Sequence, residues 1–286
     1  MTTGHPPGAD SPDFSRRSDT NRAGRAFTRL VEIMARLRGP DGCPWDREQT
    51  LASLAPYVLE EAAEVVDAIE RGDLDNLREE VGDLLFEGVF LAQVASDDGG
   101  FTVDAALDSI NEKLIRRHPH VFERERELSP NDVKAQWDVI KRAEKSERGD
   151  VAEGILAGVP VALPALMRAS ALCRKAATVG FDWPTAEAVL EKVDEEVREV
   201  RTALAAGDHL AATEEIGDLL FVIANLARRL DVDPEAALRA ANRKFERRFS
   251  AMHATVEAGG QSIAAASLDE MEEAWQAVKR TERAES

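Results

Sequence analysis

Residues 59–86, LEEAAEVVDAIERGDLDNLREEVGDLLF, align without a gap on residues 194–221, DEEVREVRTALAAGDHLAATEEIGDLLF, at an offset of 135 positions. Glu61 falls on Glu196, Glu64 on Glu199, Glu80 on Glu215 and Asp83 on Asp218, and GDLLF repeats letter for letter. The likeness extends outward. GCPWD around Trp45 resembles GFDWP around Trp183, and NEKLIRR (111–117) resembles NRKFERR (242–248). QWDVIKRAE (136–144) resembles AWQAVKRTE (274–282). A period of this length is too long for a solenoid unit, so the chain reads as a duplicated domain.

A length of 286 residues suits two domains that each bury a core. The expected layout is a disordered tail over 1–24, a first helical domain over 25–145, a turn-rich linker over 146–164 and a second helical domain over 165–286. Aromatics make up only 5% of the chain, and long stretches repeat at helical spacing without strand-like runs, so the fold class is all-α. Each copy reads as helix, tight turn, helix, loop, helix. Thr185 caps a helix that runs to about Ala206, and Gly207-Asp208 stops it and starts the next. Asp233-Pro234 opens a third. In the first copy Gly72-Asp73 is the turn and Thr102 the cap of the third helix.

The net charge of −18 argues against binding to nucleic-acid polymers or anionic membranes, because the long-range field repels phosphate. It leaves room for a small phosphate ligand brought in by a metal. Two cysteines, Cys43 and Cys173, have no CxxC spacing and suit a reducing cytoplasm. The first stretch lacks the apolar core of a signal peptide, and no apolar run approaches the ~20 residues of a membrane helix.

Glu61 and Glu64 are three apart and share a helix face, as do Glu80 and Asp83. The two pairs lie symmetrically about the turn glycine Gly72, and the second copy repeats this about Gly207. At ~1.5 Å rise per residue, both pairs sit ~14 Å from the turn and converge across the hairpin. Asp83 and Asp218 lie within apolar runs (Val81, Leu84, Leu85, Phe86; Ile216, Leu219, Leu220, Phe221), so they are expected to be partly buried. Four acids brought together repel one another, and burial adds a cost of several kcal/mol each. One or two divalent ions would offset both terms. All-carboxylate ligation points to Mg²⁺ or Mn²⁺. A di-iron site is disfavoured, since no histidine follows a Glu by three residues.

The motif EExxE (Glu60-Glu61-x-x-Glu64; Glu195-Glu196-x-x-Glu199) followed by ExxD (Glu80/Asp83; Glu215/Asp218) resembles the signature of the MazG family. GCPWD, PYVLEEAAEV, NEKLIRRHPHVF and LPAL extend the resemblance over nearly the whole chain after the tail. It implies an all-α, Mg²⁺-dependent pyrophosphohydrolase that converts a nucleoside triphosphate to the monophosphate and pyrophosphate in nucleotide house-cleaning. It also implies a four-helix-bundle core completed by dimerisation, and a C-terminal copy that is the catalytic one. Glu196, Glu199, Glu215 and Asp218 are then the catalytic and metal-binding set, with Glu61, Glu64, Glu80 and Asp83 as the metal set of the first copy. Either Glu196 or Glu199 would act as base.

Lys244 and Arg248, four apart, are candidates to meet phosphate oxygens, as are Lys113 and Arg117. Trp275 and Lys279, or Trp137 and Lys141, are candidates to stack a base and hold a phosphate. Lys192, one helical turn before Glu196, is a further candidate to contact phosphate where the first copy has Tyr57. Trp45 and Trp183 read as packing residues. The alternative function is a non-catalytic nucleotide or metal sensor that binds without turnover.

Overall fold

The computed structural model describes residues 17–122 and 154–285, together with Ser129, Asp132, Val133, Gln136, Trp137, Val139, Ile140 and Glu144. Lys141 and residues 1–16 of the expected tail lie outside the described residues. Every regular element among the described residues is helical. The chain divides into two compact units, Met1–Glu144 and Lys145–Ser286.

The first unit opens with α1 (Arg17–Arg38), the short α2 (Pro44–Glu48), and the hairpin α3 (Leu51–Arg71) and α4 (Leu74–Asp97). It continues with α5 (Val103–Arg117) and one turn, α6 (Pro119–Phe122). Thr50 caps α3 through a reciprocal box: its hydroxyl accepts from the Ser53 N–H, and the Ser53 hydroxyl accepts from the Thr50 N–H at 2.9 Å. Gly72 ends α3 in the left-handed region at φ 69°, where a side chain would be strained, and Asp73 caps α4. These two residues make the antiparallel hairpin. Helix α1 packs on α4, and Met34, Leu54, Val89, Phe90 and Val94 form the core, flanked by Phe27, Leu30 and Val31. Residues 17–24 of α1 were expected in the tail. They instead extend the helix that Phe27, Leu30 and Val31 anchor, because an anchored helix adds turns at little further nucleation cost. Arg38 closes this unit. Its guanidinium pairs with Asp97 at 2.6 Å and lies over the Phe90 ring.

The second unit carries α7 (Ala165–Ala177), the hairpin α8 (Ala186–Ala206) and α9 (His209–Arg229), and then α10 (Pro234–Ala258) and α11 (Leu268–Glu285). Thr185, Asp208 and Asp233 cap α8, α9 and α10, and Gly207 repeats the left-handed turn at φ 70°. Thr102 likewise caps α5. Helix α7 packs on α9, and α10 packs mainly along α11. Asp182, before α8, receives both Arg228 and Arg229 from the end of α9, and Arg228 also donates to the buried Asn225 at 2.8 Å. Cationic side chains at a helix C-terminus are favoured by its dipole, so this cluster both ends α9 and locks the hairpin base.

Candidate active site

The hairpins bring the acids together as the spacing requires. In the first copy Glu61, Glu64 and Glu80 each place a carboxylate oxygen within 4.8 Å of the others, and in the second copy Glu196, Glu215 and Asp218 do so. The fourth acid of each set, Asp83 or Glu199, is outside this triad, and its charge acts on a member of it. Burial first, and then the charges of Asp83, Glu80 and Glu60, push the Glu61 carboxyl above its usual range. The Glu64 carboxyl is raised chiefly by the neighbouring Glu80 carboxyl. Glu215 is raised by burial and then by Glu199, Glu196, Asp218 and Glu214.

Burial falls on other acids than expected. Asp83 and Asp218 are exposed, because the apolar residues beside them are exposed too: Leu85 and Leu220 are each 51% accessible. Glu196 is the buried member, at 3%. Its Oε1 accepts from Lys192 at 2.7 Å, while its Oε2 is buried without a hydrogen-bond partner. Glu61 has a buried Oε2 in the same condition. A buried carboxylate oxygen without a partner is costly, and a cation beside it removes the cost. The donor set, all carboxylate oxygen with an unsatisfied atom on Glu61 and on Glu196, fits a hard divalent ion.

Lys192 bridges Glu196 and, at 3.0 Å, Glu195; the bond to Glu196 is the main reason its ammonium titrates above the usual lysine range. Tyr57, at the matching place in the first copy, packs edge-on against Trp45 instead, which also meets Phe90. Trp183 lines an apolar cavity of about 400 Å³ with Phe181, Phe221 and Cys173.

The cation and tryptophan candidates lie on other helices. Lys244 and Arg248 are on α10, and Trp275 and Lys279 on α11; Trp275 packs on Phe245 at 5.6 Å. Arg248 pairs with Glu282 at 2.7 Å, and Arg247 joins it at 3.0 Å. In the first copy Lys113 and Arg117 are on α5, and the Arg117 guanidinium lies over Trp137 and pairs with Glu144. Arg116 completes that pairing, and the Arg117 bond above all holds the Glu144 carboxyl down at about 2. Both guanidinium groups therefore face a carboxylate from the same repeat position rather than the four acids. Without substrate, a guanidinium fork pairs with the nearest carboxylate.

Two functional neighbours were not anticipated. Asn76 donates to Glu80 and orients it. Glu87, one turn beyond Asp83, is buried at 6%. The i+4 spacing after Asp83 was the available signal for Glu87; nothing in the sequence marked Asn76.

The MazG nucleotide pyrophosphohydrolase domain model matches residues 49–122 and 184–253, which contain both hairpins. The chain is 48% identical over 257 residues to a nucleoside triphosphate pyrophosphohydrolase of Escherichia coli K12, covering 89% of this chain and 97% of that protein. It is 43% identical over 257 residues to the nucleoside triphosphate pyrophosphohydrolase/pyrophosphatase MazG of Thermotoga maritima, covering 90% and 97%. A nucleoside triphosphate pyrophosphohydrolase of Mycobacterium tuberculosis is 36% identical over 223 residues, covering 75% and 66%.

Proposed function

The chain belongs to the MazG nucleotide pyrophosphohydrolase family, and from that premise we propose that its C-terminal acid cluster carries out Mg²⁺-dependent hydrolysis of nucleoside triphosphates. The protein is a nucleoside triphosphate pyrophosphohydrolase. The observations that carry the site assignment are the convergence of Glu196, Glu215 and Asp218 and a buried, unpartnered oxygen on Glu196.

Glu196, Glu199, Glu215 and Asp218 would hold the ion; Mn²⁺ would serve as well. Bound there, the ion supplies charge neutralisation for the triphosphate and acidifies water. Glu196 has one oxygen tied to Lys192, which leaves Glu199, exposed and outside the tight triad, to take the proton from the attacking water. Lys192 keeps its charge throughout, so the cluster retains one positive group against the incoming phosphates. Lys244, Arg248 and Lys279 are assigned to the outer phosphates, with Arg248 exchanging Glu282 for a phosphate oxygen, and Trp275 to the base. Glu61, Glu64, Glu80 and Asp83 make the matching metal set in the first copy, where Lys113, Arg117, Trp137 and Lys141 are the corresponding substrate group.

Product analysis tests this reading. With a nucleoside triphosphate and Mg²⁺ the chain should yield nucleoside monophosphate and pyrophosphate in equal amounts, and EDTA should stop it. Mg²⁺-dependent binding without pyrophosphate would favour the sensor reading. A nucleoside diphosphate with phosphate would break the assignment.

The assembly we propose is a homodimer. Val81, Leu84 and Leu85 on α4 and Ile216, Leu220 and Phe221 on α9 are exposed on the hairpins, an apolar face of the kind a bundle covers. A second copy of the chain would bury these faces and the flanks of Asp83 and Asp218. Light scattering should give twice the mass of one chain, and Leu220→Glu should return it to monomer; a monomeric wild-type chain would exclude the dimer. Among the described residues no helix is long and apolar enough to cross a membrane, and the setting we propose is the cytoplasm.

A further inference from the structure

The two acid clusters are not equivalent, and the difference lies in Glu87. The repeat sets Glu87 against Val222, which is itself buried at 5%. Glu87 is buried at 6% on α4, and its Oε2 is enclosed without a hydrogen-bond partner. Glu87 lies four residues after Asp83 on the same face of α4, and its carboxylate is within electrostatic reach of Glu61 and Asp83. The same cluster lacks the cation of the second: Tyr57 stands where Lys192 reaches Glu196. The first copy thus carries one more carboxylate and one fewer ammonium around equivalent acids.

A buried carboxylate with an unsatisfied oxygen, within electrostatic reach of two further acids, is retained at a net cost unless a cation completes it. Nothing on the protein supplies that cation among the described residues. In the second copy Lys192 does part of that work, so an ion there is held more weakly. In the first copy the charge is left for a free ion to neutralise.

We propose that Glu87, added to Glu61, Glu64, Glu80 and Asp83, makes the N-terminal cluster a nucleotide-independent site for a hard divalent cation, held more tightly than at the C-terminal cluster. The inference rests on the reading that these acid clusters bind metal, and it adds a fifth carboxylate to one of them. The N-terminal copy then acts as a constitutively metal-loaded module beside a copy that holds the ion more weakly.

Mn²⁺ titration of the full-length chain without nucleotide, followed by electron paramagnetic resonance, tests it. The chain carrying Glu215→Gln and Asp218→Asn, which leaves the N-terminal acids as the intact set, is compared with and without Glu87→Val. Valine is the residue the second copy already buries at this position. Mn²⁺ affinity should fall at least about tenfold on Glu87→Val, and Glu87→Gln, which keeps the shape and removes the charge, should do the same. The metal-free Glu87→Val chain should also melt at a higher temperature than its parent, with saturating Mn²⁺ narrowing the gap. Equal affinity with and without Glu87 overturns the inference alone, provided that the wild-type chain binds Mn²⁺ and loses part of that binding on Glu215→Gln. Absence of Mn²⁺ binding by the wild-type chain overturns this inference and the metal assignment together.

Discussion

Glu215→Gln or Asp218→Asn should lower pyrophosphate release at least about a hundredfold while leaving the helix content unchanged. Glu215 is half-buried and Asp218 exposed on α9, and neither holds the fold through an ion pair or hydrogen bond found among the described residues. Each amide keeps the shape of the side chain and removes the charge. The Glu215 carboxyl is raised by burial and by Glu199, Glu196, Asp218 and Glu214, so taking its charge away relieves repulsion in the metal-free chain. The variants should therefore be as stable as the parent without metal, or slightly more so. They should gain less stability from Mg²⁺ and nucleotide, since stabilisation by a ligand follows its affinity for the folded state. The matching changes at Glu80 and Asp83 should leave most of the turnover in place, because the catalytic role is assigned to the C-terminal copy. Turnover within a factor of two of the parent for Glu215→Gln would remove α9 from the chemistry.

The largest effect on stability is expected at Phe90. Phe90→Ala should destabilise the first unit by about 3–5 kcal/mol, the range for emptying a fully buried aromatic site. Phe90 is 0% exposed and packs with Met34, Leu54, Val89 and Val94. Its ring also meets Phe86 at 5.6 Å and Trp45 at 6.5 Å, and it lies under the Arg38 guanidinium. Removing it leaves a void that helices α1, α3 and α4 line together, and collapse into that void would require the hairpin to shift. The loss is a large share of the ~5–15 kcal/mol that holds an ordinary domain. Urea unfolding followed through tryptophan fluorescence reads it, since Trp45 reports on this core. A cost below about 1 kcal/mol would mean that the first unit is held together elsewhere.

The hairpins were legible because their signals are local and doubled. Gly72 and Gly207 end a helix in the left-handed region, Asp73 and Asp208 start the next, and the acid pairs lie at equal intervals from the turn. Such features depend on a few neighbouring residues, and a repeat states them twice. The packing helices were less legible. Helix α1 carries mostly polar residues with Phe27, Leu30, Val31 and Met34 along one side, and residues 21–24 before them are exposed. Burial of the acids was misplaced for a related reason. An apolar run beside Asp218 reads as a buried face, but Ile216 and Leu220 are exposed and Asp218 with them. The partners of Arg117 and Arg248 were hidden too. Glu144 and Glu282 close the repeated segments that hold Trp137 and Trp275, and only the folded helices bring them against those arginines.

Both hairpins are read as doing one job: turning four acids that repel one another into a seat for a divalent cation. Mn²⁺ titration without nucleotide, on the wild-type chain and on one with Glu196, Glu199, Glu215 and Asp218 all changed to their amides, measures this. The altered chain should keep its circular dichroism spectrum, lose one class of bound Mn²⁺ and stop releasing pyrophosphate. Two titration curves that superimpose would contradict the account.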